Sequence, residues 1–323
     1  MSPVTIAVGG GKGGVGKSVF SVLLAQWFAR LGKSTVLADL DLGGANLHTL
    51  LGIKEPPLTL LDYLSRRVGS LGSLALDTEV ENLRVVCGSG EVLSVANPQY
   101  SQKMKLIRGL KEIDADFVVV DLGAGTSLDV LDFLLASDEM IIVTTAEPIS
   151  VYNAYGLLRN LVFRCLLRLC RGFSLVEAAI REAMDPHNEK GINTVRDLYR
   201  RLFVEADMEL MAQVSEQMMS LRPGVVVNQV HFEKERNAAK VIQQVAERYL
   251  ALEIRDLGSV PYDSQLQMMV ARMTPLTSGN QHRGAFEAVH SIAARFVYGD
   301  GRLIALGARR DSRLSSSTAQ SRG

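Results

Sequence analysis

The chain has 323 residues, of which 47% are hydrophobic and 22% are charged, a balance typical of a globular protein. Its 35 Lys and Arg residues equal its 35 Asp and Glu residues, so the net charge gives no argument for a nucleic acid or an anionic membrane as partner. No uninterrupted apolar run approaches the ~18 residues of a membrane-spanning helix, and no signal peptide is visible. Three cysteines, Cys87, Cys165 and Cys170, fit buried free thiols rather than a disulfide framework. We therefore expect a cytoplasmic protein.

The first predicted strand, residues 4–8, runs into a glycine-rich loop, and an apolar helical segment over residues 19–31 follows. The loop fits the phosphate-binding pattern G-x-x-x-x-G-K-[ST] over residues 11–18. Backbone amides of such a loop, together with the positive end of the next helix, hold phosphate groups. The candidate nucleotide-binding residues here are Gly11, Lys12, Gly13, Gly14, Val15, Gly16, Lys17, Ser18 and Val19.

Two lysines on one glycine loop indicate a polyphosphate ligand. Lys17 is placed to reach the β- and γ-phosphates, and the Ser18 hydroxyl is placed to coordinate Mg²⁺. Lys12 lies inside the same loop, and two cations this close repel each other unless an anion neutralises both.

Acidic residues follow two further predicted strands. The strand over 34–40 has Asp39 near its end and Asp41 directly after it, and the strand over 117–120 ends at Asp121, just before Gly123. Carboxylates at strand ends beside a phosphate loop can hold Mg²⁺ through water or position an attacking water. The alternative left open is that they are ordinary loop or helix-capping acids.

Later strands are predicted over 140–145, 225–230 and 254–260. Their alternation with helices predicts an α/β fold with a mostly parallel twisted sheet and helices on both faces. Ligand sites in such sheets lie at the carboxyl ends of the strands. Lys17, Asp41, Asp121, Asn228 and Asp263 all fall at or just after predicted strand ends.

The segment Lys12-Gly13-Gly14-Val15-Gly16-Lys17-Ser18 resembles the deviant Walker A loop of the MinD/ParA family of P-loop ATPases. The resemblance implies ATP and Mg²⁺ as cofactors and an ATP-dependent homodimer in which Lys12 reaches the partner's nucleotide. It implies catalytic roles for Lys12, Lys17 and Asp41, and a metal site at Ser18, Asp39 and Asp121. The residues from Asp39 to Asn46 are similar to MinD and to the related flagellar-number regulator.

The resemblance also implies an adenine site and a dimer surface. Asn228 and the loop Pro261-Tyr262-Asp263 match the family's adenine-recognition elements, and an Asn amide can pair with the adenine N6/N7 edge. Glu147 and Ser150 follow a strand at a position that faces the dimer interface in the family. No N-K-x-D motif of a GTPase is present.

The family pattern gives no guidance for residues 155–223, where several helical segments predict a helical insertion within an ATPase domain that spans residues 1–298. Arg164, Arg168 and Arg171 recur at helical spacing in it, so one helix face is cationic. That face can bind an anionic membrane or acidic partner, but the favoured interpretation is a solvated face. A solvated basic face is likewise favoured for the helix over 100–111. Residues 299–323 are rich in Arg and Ser and predict a disordered tail, with a weak membrane-touching segment considered at 303–306.

The residues therefore predict a MinD/ParA-type ATPase, a dimerisation switch used in the spatial positioning of cell division, flagella or a related structure. A protein partner or activator and a peripheral contact with the inner face of the plasma membrane are expected. The alternative is a ParA-type DNA-partitioning ATPase that binds non-specific DNA. An iron–sulfur carrier ATPase is disfavoured because no cysteine follows Cys170.

Overall fold

The computed structural model describes residues 2–88, 100–185, 187–188, 191–192, 194–277 and 283–299. Within these ranges the chain forms a sheet of eight strands with helices on both faces. The strands are β1 (Val4–Gly10), β2 (Thr35–Leu40), β3 (Leu76–Asp77), β4 (Leu83–Val86), β5 (Phe117–Ala124), β6 (Glu139–Thr144), β7 (Gly224–Val230) and β8 (Arg255–Pro261). The α-helices are α1 (Lys17–Arg30), α2 (Leu47–Leu50), α3 (Leu60–Leu64), α4 (Tyr100–Lys111), α5 (Leu128–Ala136), α6 (Pro148–Leu169), α7 (Ser174–Met184), α8 (Val195–Glu205), α9 (Met208–Ser220), α10 (Ala238–Leu250), α11 (Ser264–Ala271) and α12 (Arg283–Tyr298).

The strand order is β3-β4-β2-β5-β1-β6-β7-β8, and every neighbouring pair is parallel except β3 with β4. Strand β1 lies between β5 and β6, so the loop that follows it leaves from the middle of the sheet. The predicted fold class is confirmed.

Alternating side chains divide the interior into two cores, one on each face of the sheet. On β1, Ile6 and Val8 join the core beneath α1 and α12, whereas Ala7 joins the core beneath α4–α10. This alternation is the period of a strand buried on both faces. In the first core the Phe28 ring of α1 stacks on Phe117 of β5, with ring centroids 4.3 Å apart.

Helices α7, α8 and α9 follow α6 on the second face. Their buried side chains, among them Ile180, Leu198 and Val214, belong to the same hydrophobic cluster as the helices that cover β6 and β7. Helix α6 begins at Pro148, before the predicted helical segments of residues 155–223, because Pro at the first helical turn supplies a favourable start. Helices α7, α8 and α9 thus add to the core on this face.

The prediction of a solvated basic face is wrong at one residue of each helix, Lys103 and Arg164. Lys103 of α4 is only 6% exposed and pairs with Asp129 and Asp132 of α5, at 3.0 and 2.5 Å. Arg164 of α6 donates two hydrogen bonds to Asp132, at 2.8 and 2.9 Å. The physical reason is that α5 presents one buried carboxylate between α4 and α6, and a buried charge needs a partner. A sequence pattern shows spacing on one helix and cannot show the acid on another.

No helix among the described residues is long and apolar enough to cross a membrane. Residues 300–323, which include the segment 303–306 considered for membrane contact, lie outside the described residues.

Candidate nucleotide-binding site

The glycine loop connects β1 to α1, and its shape depends on glycine at several positions. Gly14 and Gly16 have φ angles of +83° and +80°, the left-handed region that residues with a side chain rarely adopt. A methyl group on Gly11 would lie 2.2 Å from the carbonyl oxygen of Asn153, a backbone atom of α6. The loop is therefore packed against the first turns of α6, and it is joined to β1 at one end and to α1 at the other.

Lys17 and Ser18 open α1 directly beneath this loop. The Lys17 ammonium lies 2.9 Å from Oδ1 of Asp121 and 3.3 Å from Oγ of Ser18. The Ser21 hydroxyl donates to the same Asp121 oxygen at 2.9 Å. Asp121 is 1% exposed on β5, so the structure brings the predicted phosphate-binding lysine and two predicted metal residues into one buried polar cluster. Ser21 belongs to this cluster and was not singled out by sequence reasoning.

The loop after β2 brings the other two acids to the same edge of the sheet. Asp39 is 1% exposed and accepts hydrogen bonds from the backbone N–H groups of Leu47 and Asp41, at 3.0 and 3.2 Å. Burial raises the pKa of Asp39 to about 7, with nearby Asp121 contributing in the same direction. The Asp41 carboxylate is beside Gly123, where Oδ1 would be 3.3 Å from an added methyl group. The loop after β2 therefore brings Asp41 beside the carboxyl end of β5.

On the opposite side of the glycine loop lies an apolar pocket of about 230 Å³. Its walls include Gly14 and Gly16 of the loop and Val19 of α1, as well as the ends of β7 and β8. The predicted residues Asn228, Pro261, Tyr262 and Asp263 all line it, together with Gln229, Leu266, Gln267 and Val270. The structure thus brings together segments that are more than 200 residues apart in the chain.

Two consecutive amides at the end of β7 contact the glycine loop. Asn228 Nδ2 donates to the Val15 carbonyl oxygen at 2.8 Å, and Gln229 Nε2 lies 3.5 Å from the Gly14 carbonyl oxygen. Gln229 has a φ angle of +56°, which is unusual for a residue with a side chain. Sequence reasoning selected Asn228 and missed Gln229, because a left-handed backbone at a non-glycine residue leaves no sequence signal.

The loop after β8 closes the pocket. The Tyr262 ring stacks on His231, with centroids 4.3 Å apart. The Asp263 carboxylate accepts from the N–H groups of Gln265 and Leu266, so it caps α11 while its residue lines the pocket. Asp263 therefore shapes this wall through its backbone and its cap.

Lys12 lies apart from the buried cluster of Lys17, Ser18 and Asp121. Its side chain is 42% exposed and lies 3.4 Å from Glu147 Oε2, which also accepts from the Ser150 hydroxyl at 3.4 Å. Nearby on α6, Ile149 and Tyr152 are largely exposed. The surface around Lys12 therefore combines an exposed cation with apolar side chains.

The three cysteines are not among the predicted site residues, and of them Cys87 lies near enough to Asp39 for that carboxylate to help raise its pKa. All three cysteines are free and buried, as the sequence predicts. Burial raises the pKa of Cys87 to about 12 and that of Cys165 to about 11, so neither is a reactive thiolate at neutral pH. Within the described part of the chain no group of three or more His, Cys, Asp or Glu side chains could hold a metal ion.

A parallel sheet whose central strand runs through a G-x-x-x-x-G-K-S loop into a helix, with a buried aspartate on the adjacent strand, defines a P-loop nucleotide-binding domain. Residues 6–276 match the model of the CobQ/CobB/MinD/ParA nucleotide binding domain. The chain belongs to this family, and the predicted MinD/ParA relationship is confirmed.

Two curated relatives and one solved structure are similar to the chain. It is 38% identical to the antiactivator FleN of Pseudomonas aeruginosa over 164 residues, which cover 50% of this chain and 58% of FleN. It is 33% identical to the flagellum site-determining protein YlxH of Helicobacter pylori over 167 residues, 48% of this chain and 52% of YlxH. The chain thus spans about half the length of the curated relatives it matches. The structure of the septum site-determining protein MinD of Pyrococcus horikoshii, complexed with Mg-ADP, superposes with a TM-score of 0.61 at 20% identity and covers 93% of this chain and 98% of MinD.

Proposed function

We propose that this protein is an ATP-driven dimerisation switch of the MinD/FleN type that serves to position a cellular structure. One observation carries the proposal: the glycine loop lies between a base-sized apolar pocket and a buried cluster of Lys17, Ser18 and Asp121. A nucleoside triphosphate has the same three-part order, with a base at one end and the β- and γ-phosphates at the other. The loop amides between them suit the phosphate chain.

The cofactor that fits this arrangement is Mg-ATP. Asn228 and the Pro261–Asp263 loop would receive adenine, and Lys17 would bind the terminal phosphates. Ser18, Asp39 and Asp121 would hold Mg²⁺, with oxygen donors of the kind that this ion prefers. Asp39 and Asp121 are both buried and raise the local negative charge, so a divalent cation would stabilise their ionised forms. When bound, Mg²⁺ supplies charge neutralisation at the phosphates.

Hydrolysis would depend on Asp41. Its carboxylate lies beside Gly123, at the carboxyl end of the strand that carries Asp121. From there Asp41 would accept a hydrogen bond from the attacking water and orient it in line with the leaving group. Lys17 would stabilise the negative charge that develops on the transferred phosphoryl group.

Dimerisation would depend on Lys12. Its ammonium is on the outer side of the loop, held by an exposed ion pair with Glu147 that contributes at most about 1 kcal/mol. The side chain is therefore free to exchange Glu147 for the phosphates of a nucleotide in a second copy. Such an exchange would make the dimer depend on ATP, and hydrolysis would reset it.

The biological role rests on the relatives. FleN is named as an antiactivator and YlxH as a flagellum site-determining protein, and each matches about half of this chain. We therefore propose that the ATP dimer presents a surface to a protein partner or activator, with flagellar or division-site placement as the outcome. We also propose that residues 155–223 act as an insertion within this domain.

The DNA-partitioning alternative loses its sharpest support. It requires a cationic helix face that is free to bind DNA, whereas the Arg164 guanidinium is hydrogen-bonded to the buried Asp132. Co-sedimentation with anionic liposomes and with linear DNA, each with ATP and with ADP, separates the alternatives. ATP-dependent, salt-sensitive binding to DNA would favour partitioning, whereas ATP-dependent binding to liposomes without DNA binding would favour a membrane-associated switch.

Nucleotide binding itself is tested by equilibrium titration of a fluorescent ATP analogue in Mg²⁺ and in EDTA. We expect Lys17→Ala to abolish binding, and the matched control Lys54→Ala, which changes an exposed lysine outside the site, to leave binding unchanged. Equal affinities in wild type and Lys17→Ala would overturn the assignment of the phosphate site.

A further inference from the structure

The two amide side chains at the end of β7 contact the glycine loop in addition to lining the base pocket. Both place their NH₂ groups on carbonyl oxygens of the glycine loop, Asn228 on Val15 and Gln229 on Gly14. A carbonyl oxygen only accepts hydrogen bonds, so the orientation with the amide nitrogen toward the loop is the favourable one for each side chain. A flipped amide would set two oxygens against each other.

A second observation also places the Gln229 side chain against the glycine loop. A methyl group on Gly16 would lie 2.3 Å from Nδ2 of Asn228 and 3.3 Å from Nε2 of Gln229, so both amide nitrogens are packed on the same stretch of the loop. To reach it, Gln229 adopts a left-handed backbone with φ of +56°. A left-handed backbone is strained for a non-glycine residue, and such residues concentrate at ligand sites.

We propose that Gln229 is a specificity-determining residue for the base, and that its amide oxygen, together with that of Asn228, selects a purine with a 6-amino group. This inference rests on the proposed nucleotide-binding function. Each NH₂ group gives one N–H to a loop carbonyl, which leaves the amide oxygen as the acceptor for a ligand, and both residues line the pocket. Two acceptors there fit the N–H donors of the 6-amino group of adenine.

The same geometry favours adenine over the other common purine. Guanine has an oxygen at position 6, which cannot donate a hydrogen bond to either amide oxygen. Leaving a polar group unpaired in the pocket costs more than a hydrogen bond gains, so guanine would bind more weakly than adenine.

The test is a cycle of two proteins and two ligands. Wild type and Gln229→Met are titrated with ATP and with purine riboside 5′-triphosphate, which lacks the 6-amino group, under identical Mg²⁺ conditions. Met keeps the length of the side chain and removes its amide. We expect wild type to prefer ATP by roughly tenfold, and we expect Gln229→Met to reduce that preference by roughly threefold to tenfold, the range of one neutral hydrogen bond.

A purely structural role for Gln229 predicts a different outcome. If its amide only supports the loop, Gln229→Met weakens both ligands by the same factor, and the preference for ATP stays at the wild-type value. That result would overturn the proposal. Failure of the proposed function is distinguishable, because wild type would then bind neither triphosphate.

A companion variant separates the backbone from the side chain. Gln229→Gly adopts the left-handed conformation without strain but also lacks the amide. We expect it to share the lowered preference for the 6-amino group with Gln229→Met. Retention of the full preference in Gln229→Gly would show that the amide takes no part in reading the base.

Discussion

Replacement of Asp132 by Asn is expected to destabilise the protein, because two cations share this buried carboxylate. The Asp132 carboxylate is 6% exposed and binds Lys103 of α4 and Arg164 of α6, so it joins three helices. Burial alone would raise the pKa of Asp132, but the hydrogen bonds from Arg164 and Lys103 outweigh it and hold the pKa below its ordinary value. The carboxylate is therefore ionised at neutral pH.

The magnitude follows from what the two cations would lose. Removing one partner of a buried ion pair costs about 3–5 kcal/mol. Two features reduce the loss: Lys103 keeps Asp129, and the Arg164 side chain is 25% exposed and so retains some solvent. We expect a loss of about 2–3 kcal/mol, or a fall in melting temperature of about 4–6 °C at the scaling for large domains.

The assay is thermal unfolding followed by differential scanning fluorimetry at neutral pH. Arg168→Ala is the matched control, because Arg168 is half exposed and lies 3.8 Å from the same carboxylate, a contact worth about 1 kcal/mol or less. A melting temperature for Asp132→Asn within about 2 °C of wild type, equal to that of Arg168→Ala, would refute the reasoning.

Three further outcomes are expected. Gly11→Ala lowers stability because its methyl group meets the backbone of Asn153, whereas Gly13→Ala, which faces open space, unfolds at the wild-type temperature; equal melting curves would contradict the packing of the loop on α6. Asp41→Ala traps an ATP-bound dimer and reduces phosphate release at least about 100-fold, the usual loss for a residue that positions or activates the nucleophile; unchanged turnover in a phosphate-release assay excludes Asp41 from positioning water. The stability supplied by Asp132 is present above the unfolded pKa of about 4 and is lost as pH falls through the lower folded pKa, so the melting difference between wild type and Asp132→Asn shrinks below about pH 4; a constant difference down to pH 2 contradicts it.

Much of the fold could be predicted because its signals are local. A buried parallel strand is a run of apolar residues, and the glycine loop has a fixed spacing, so β1, the loop and α1 were predictable from contiguous residues. The predicted strand ends placed Asp39, Asp121 and Asn228 at one edge of the sheet. In the structure these three residues lie at that edge.

What escaped prediction depends on residues that are distant in the chain. The pairing of Lys103 and Arg164 with Asp132 joins three helices, and helical spacing on α4 or α6 alone made each cation look solvated. The left-handed backbone of Gln229 is set by its contact with the glycine loop, some 215 positions earlier in the sequence. Both features arise only when the sheet brings its strands together.

The two lysines of the loop were predictable as a pair, but their different surroundings were not. Lys17 is buried against Asp121, and Lys12 is exposed beside Glu147. This division is the basis for giving them different roles, one on the nucleotide of its own subunit and one on that of a partner.

Sedimentation velocity with Mg-ATP and with Mg-ADP tests the central claim of an ATP-dependent switch most directly. We expect wild type and the control Lys54→Ala to sediment as dimers in ATP and as monomers in ADP. Lys12→Ala should bind ATP with wild-type affinity yet stay monomeric, because only the bridge to the partner is lost. A wild-type protein that binds ATP but stays monomeric, or an intact ATP dimer of Lys12→Ala, would contradict the account.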